Sequence, residues 1–195
     1  MASPYSGLKS SAFCKKTQDL IEAHPLRKEE LVEVVLQAWN DIFDSKLGPK
    51  GFQIGKHIFP KPQIMGFFLH ELIPLEFSAR YPNVWRGEKT ATDKDLVYVP
   101  DGKFSIEIKT SSNAKQIFGN RSYAQESEAG KKDKSGYYLT ANFGKFKGEV
   151  LPKIVLIRFG WLDHTDWVGQ EAATGQQAHL NTDADRCKLI TIYSK

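Results

Sequence analysis

Between residues 29 and 46 the apolar side chains Leu31, Val34, Val35, Ala38, Trp39, Ile42 and Phe43 recur at the i, i+3, i+4 spacing that lines one face of an α-helix. Gly48-Pro49 closes the pattern, so an amphipathic helix is expected there. A second helix is expected over residues 62–77, with Pro62 in its first turn and an apolar centre from Met65 to Leu69. Pro74 should kink or end it, because proline removes a backbone donor and clashes with the preceding turn. The period then shortens. Residues 96–99 and 104–109 are β-branched and aromatic runs around a Pro-Asp-Gly turn, which predicts two antiparallel strands. Further strands are expected over 137–143, 153–159 and 188–193, after a polar stretch at 111–135. This order predicts an α/β fold with a mixed central sheet flanked by helices. We expect a single domain with a helical part at 1–60, a core at 62–160, and an amide-rich loop with a final strand at 161–195.

The turn sets the register of the hairpin. With Pro100 and Asp101 central and Gly102 at positive φ in a bulge, Val99 pairs with Lys103, Val97 faces Ser105, and Asp95 faces Glu107. Lys109 shares that face because strand side chains alternate. Leu96, Tyr98, Phe104, Ile106 and Ile108 form the opposite, apolar face. Facing carboxylates repel unless a cation lies between them. Mg²⁺ suits the place: it takes one or two carboxylates, keeps several waters and binds phosphate oxygens. Taken alone, Glu-x-Lys in a strand is an ordinary solvated pair. The facing aspartate makes it a candidate nuclease centre, with Asp95, Glu107 and Lys109 as catalytic residues.

Asp95 and Glu107-Ile108-Lys109 resemble the PD-(D/E)XK nuclease motif. Longer blocks, D-K-D-L-V-Y-V-P-D-G-K-F-S-I-E-I-K-T-S-S, G-N-R-S-Y-A-Q, K-S-G-Y-Y-L and F-G-W-L-D-H-T-D-W-V-G-Q, are similar to the ScaI type of restriction endonuclease. They run from Asp93 to Gln170. The resemblance implies a restriction-endonuclease-like core in which Asp95, Glu107 and the backbone carbonyl of Ile108 hold Mg²⁺. It implies a homodimer that cuts double-stranded DNA at a short palindrome, bluntly and within a site such as AGTACT, and a companion DNA methyltransferase encoded nearby. Lys94 stands where the motif has proline, which makes Asp93 a competitor of Asp95. Glu71 is a further candidate ligand, since related nuclease folds often place a helical glutamate beside the metals.

Composition adds boundaries. The chain has 195 residues, 41% of them hydrophobic, and a formal net charge of +4, enough for one substantial core but too mildly basic to indicate nucleic acid by charge alone. Cys14 and Cys187 are isolated, with no zinc spacing, and are expected to be reduced thiols of a cytoplasmic protein. No apolar run approaches a membrane span. His164 between Asp163 and Asp166 is a weaker metal candidate, since such a run is ordinary loop chemistry.

Base readout needs amides and guanidinium groups. Asn120, Arg121, Ser122, Tyr123 and Gln125 form one candidate reading segment, and Gln170, Thr174, Gln176 and Gln177 a second. Lys115, Lys131, Lys132 and Lys134 suit phosphate contacts. The alternatives to a type II restriction endonuclease are a structure-specific repair or junction-resolving nuclease, and a non-catalytic DNA-binding protein.

Overall fold

The computed structural model describes residues 3–127, 130–148, 150–172 and 174–195. In chain order these form α1 (Phe13–Glu22), α2 (Lys28–Asp44), β1 (Lys46–Leu47), β2 (Phe52–Gln53), α3 (Pro62–Arg80), β3 (Trp85–Gly87), β4 (Leu96–Tyr98), β5 (Ile106–Ser111) and β6 (Gly119–Asn120). Then follow β7 (Gly136–Phe143), β8 (Ile154–Leu162), β9 (Trp167–Gly169), β10 (Gln177–Leu180) and β11 (Leu189–Ser194).

The main sheet has the order β11-β8-β7-β5-β4-β3. It is mixed, as expected: β5 and β7 run parallel and the other neighbours antiparallel. One face packs on α1, α2 and α3, where Leu31, Val34, Leu69, Phe77, Ile106 and Ile108 are buried. A smaller cluster of Ile117, Tyr138, Leu162 and Trp167 joins the sheet to a three-stranded ribbon of order β6-β10-β9. Among the described residues no helix is long and apolar enough to cross a membrane.

Helix α3 runs through Pro74 to Arg80 and does not stop near Phe77. Ile73, Pro74 and Phe77 are all buried, so packing against β3 and β5 outweighs the missing backbone bond. Gly66 lets the helix lie close to the sheet: a Cβ there would stand 2.6 Å from Thr110 Oγ1. That close approach brings the next turn of α3 over β5.

The hairpin keeps the expected register but not the expected turn. Leu96 pairs with Ile106, which sets Asp95 opposite Glu107. Gly102 is not among the positive-φ residues; instead Gly102–Phe104 form a 3₁₀ turn whose amide at Lys103 donates to the Asp101 carboxylate at 3.1 Å. The aspartate side chain has taken over the role foreseen for a bulge. Val99 therefore does not pair with Lys103, and its amide donates to the Val84 carbonyl.

The cysteines are also corrected. Cys14 on α1 and Cys187, in the π-helical turn Ala184–Lys188 before β11, form a disulfide with Cα atoms 4.3 Å apart. Their separation of 173 residues hid a proximity that only the packing of α1 on that turn creates.

His24 gives the fold a pH dependence. Its ring is 6% exposed and sits among Trp85, Phe104, Tyr137 and Phe159. Nε2 faces the Phe104 carbonyl at 3.0 Å, while Nδ1 accepts from the Leu26 amide at 3.1 Å. Burial lowers its pKa from 6.5 to about 4. The unfolded chain takes up that proton first on acidification, so stability is expected to fall by roughly 3 kcal/mol between pH 6.5 and 4. Urea unfolding across this window tests it; His24→Gln should flatten the slope, and an unchanged slope would assign it to other groups.

Candidate active site

The end of β4 and the length of β5 bring Asp95, Glu107 and Lys109 together. Asp95 Oδ2 accepts the Ile108 amide at 2.7 Å, which fastens the carboxylate across the two strands. Lys109 Nζ donates to Glu107 Oε1 at 2.7 Å and to the Ile108 carbonyl at 3.3 Å. Glu107 is 1% exposed. Burial alone would raise its pKa, but Lys109, Lys94 and Lys132 outweigh it and hold the carboxyl at about 2.

Asp93, the competitor, is engaged elsewhere. Its Oδ2 accepts Arg86 at 2.8 Å and the amides of Lys89 and Thr90 at 2.9 and 3.2 Å. Lys94, the departure from the motif, sends its ammonium to 3.9 Å from Glu107 Oε2 and donates to the Asp133 carbonyl. Burial lowers its pKa to about 8.

Lys132 is found in a place the sequence did not indicate. Foreseen as a phosphate contact, it lies 2.9 Å from Asp95 Oδ1 and 3.2 Å from Glu107 Oε2, bridging the two carboxylates. Its ammonium marks a position where a cation satisfies both groups. Glu107 Oε2 is buried and faces the ammonium groups of Lys132 and Lys94, with no hydrogen bond of good geometry among the described residues, and the donors at hand are carboxylate and carbonyl oxygens, which suit a hard divalent ion. Among the described residues no group of three or more His, Cys, Asp or Glu is arranged to hold a metal, so water and substrate oxygens would complete the shell.

Helix α3 adds a residue that sequence reasoning passed over. His70 Nδ1 lies 3.7 Å from Asp95 Oδ2, and burial lowers the pKa of the ring. Glu71, the residue singled out on this helix, is exposed; it lines a cavity of about 220 Å³ with His70, Glu88 and Asp95. The motif H-E-L-I-P-L-E was the available signal, but the choice between its first two residues depended on the helix's rotation.

A groove of about 610 Å³ continues from His70 and Glu71 past Thr110 and Ser111 to Gln177. Gln177 pairs with Asn120 across β10 and β6, and both are exposed. They also line a cavity beside Lys109. Of the other predicted readers, Arg121 and Tyr123 are half-buried and the rest exposed. Arg121 donates to the carbonyls of Ala172 and Gly175 at 3.2 and 3.4 Å, and its amide donates to Gln176. Gln170 accepts the Gln177 amide at 3.3 Å. Ser122 and Gln125 are exposed, and their carbonyls accept Lys134. Tyr123 turns inward, its hydroxyl on Glu107 Oε1 at 2.5 Å, and burial with that carboxylate raises its pKa. Lys115, Lys131 and Thr174 are exposed. The Asp163–His164–Asp166 run is structural: Lys188 clamps Asp163 and Asp166 at 2.9 and 2.8 Å, and both aspartates are buried.

A carboxylate pair and a lysine on adjoining strands of a mixed sheet, covered by helices on one face, form the arrangement that the PD-(D/E)XK nuclease motif describes. The sequence model of the ScaI restriction endonuclease family matches residues 3–193. Over 195 residues the chain is 49% identical to the "Type II restriction enzyme ScaI" of Streptomyces caespitosus, covering 98% of this chain and 85% of that protein. No solved structure matches. The chain belongs to the ScaI restriction endonuclease family.

Proposed function

We propose that the protein is a Mg²⁺-dependent homodimeric endonuclease that cuts both strands of double-stranded DNA bluntly at a short palindrome of the AGTACT kind. The observation that carries this reading is the convergence of Asp95 and Glu107 on one cation position, with Lys109 beside them. Asp95, Glu107 and the Ile108 carbonyl would hold the ion. When bound there, a divalent cation supplies Lewis acidity and offsets the charge that develops on the phosphate. Lys109 holds and orients the attacking water and adds positive charge at the scissile phosphate. Its present bond to Glu107 keeps the ammonium within reach of that place. Two-fold DNA calls for two-fold protein, one active site per strand. A companion methyltransferase protects host DNA, and the cytoplasm, where that DNA lies, is the proposed compartment. Disulfides are rare in that compartment, and the Cys14–Cys187 link is buried only on its Cys187 side.

A digest of phage DNA with Mg²⁺, beside an EDTA control, tests the proposal. Discrete fragments with flush ends support it; structure-dependent nicks or intact DNA would favour a repair nuclease or a non-catalytic binder.

Asn120 and Gln177 are proposed to read bases, since carboxamides match adenine in the major groove and both side chains are exposed beside Lys109. Arg121 shapes the 170–177 loop through its carbonyl contacts. Asn120→Ala and Gln177→Ala are each expected to weaken cognate binding by about 1–3 kcal/mol with little change on scrambled duplex. Lys131→Ala should weaken both alike and reduce the salt slope by about one unit. Binding to both duplexes at several salt concentrations measures this; equal losses for Gln177→Ala would assign it to the backbone.

A further inference from the structure

Tyr123 belongs by sequence to the reading segment, yet its side chain points into the catalytic strand. Its hydroxyl donates to Glu107 Oε1 at 2.5 Å, and the same oxygen accepts Lys109 at 2.7 Å. The Lys109 ammonium also lies over the Tyr123 ring, 4.5 Å from its centroid. With Oε1 doubly engaged, Oε2 is the oxygen left facing Lys132 and Asp95. The ring is held from the other side: it meets Trp167 of β9 at 5.4 Å, and a Cβ at Gly119 of β6 would lie 3.2 Å from Tyr123 Cγ. One side chain therefore touches both the ribbon that presents Asn120 and the pair Glu107–Lys109.

We propose that Tyr123 is a positioning residue for cleavage. It fixes the rotation of the Glu107 carboxylate and the place of the Lys109 ammonium, and does so from the DNA-reading ribbon. The other partners of Glu107 are ammonium groups on flexible lysine stems; the hydroxyl of a ring packed against Trp167 and Gly119 is the rigid donor that fixes the carboxylate's orientation. A phenol in contact with the ribbon makes the holding depend on how the ribbon sits. The proposal rests on the reading of Asp95, Glu107 and Lys109 as the active site.

Tyr123→Phe removes the hydroxyl and keeps the ring over Lys109. Cleavage of the cognate site is expected to slow by about 10- to 100-fold in kcat with KM nearly unchanged. Mg²⁺ binding by titration calorimetry, read without turnover, should weaken by about tenfold, while thermal stability stays close to that of the parent. Purely structural packing would leave kcat and Mg²⁺ affinity in place. Glu107→Gln is run alongside. If it is inactive while Tyr123→Phe cleaves and binds Mg²⁺ as the parent does, the Tyr123 proposal is overturned and the site stands. If Glu107→Gln cleaves normally, the site itself is wrong. Should Tyr123→Phe fail to fold, Tyr123→Gln, which keeps a donor, must cleave faster than Tyr123→Leu; equal rates overturn the proposal.

Discussion

Asp95→Asn and Glu107→Gln are each expected to lower DNA cleavage by about three orders of magnitude or more, because metal-assisted charge stabilisation is worth several kcal/mol and each tenfold in rate takes about 1.4. Amide replacements are the right probes here. Glu107 stands among Lys94, Lys109 and Lys132, so truncation to alanine would also leave buried ammonium groups facing a void and confuse a catalytic loss with a folding one. DNA binding in EDTA should be retained or tightened, since the lost negative charges repel phosphate. Plasmid nicking assays with Mg²⁺ and gel shifts without it measure the two sides. Near-normal cleavage by either variant would move the active site elsewhere.

Lys109→Met is expected to lose about 10²- to 10⁴-fold in cleavage, the range for a group that handles a reacting proton or orients a nucleophile, while Mg²⁺ binding by calorimetry persists. Methionine keeps the apolar stem against Tyr123 and removes only the charge. Asp93→Ala is the control, because that carboxylate is occupied by Arg86 and two local amides. An active Lys109→Met beside an inactive Asp93→Ala would reverse the assignment of the hairpin.

The hairpin was legible because three local rules agreed: alternation, apolar content on one face, and a turn between the runs. Its register survived even though the turn was built differently, since the burial of Leu96 and Ile106 fixes the pairing. Helix α2 was legible for the same reason, through its apolar stripe. Other features were beyond local rules. β6 and β9 have two and three residues, too few to show a period. The Cys14–Cys187 bond joins chain ends that meet only in the folded state. Lys132 read as a phosphate contact, because no one-dimensional pattern shows that a lysine 25 residues beyond Glu107 returns to bridge it with Asp95. The side chain of Tyr123 was likewise hidden, since its short 3₁₀ turn, Arg121–Ala124, shows no apolar period.

The parallel pairing of β5 with β7 has a consequence for how targets change. Parallel neighbours cannot be joined by a tight hairpin and need a crossover of a dozen or more residues. Here that excursion carries Asn120, Tyr123 and Lys132, so the proposed base reader is inserted between two neighbouring strands of the sheet and not appended to the molecule. A lineage acquiring a new target can lengthen or rewrite the excursion without disturbing the hydrogen bonds of either strand. It is not free to rewrite all of it, because Tyr123 and Lys132 are moored to Glu107. Variation among descendants should therefore collect around the moorings, at Asn120 and near Gln177 of the facing β10, leaving the moorings themselves in place.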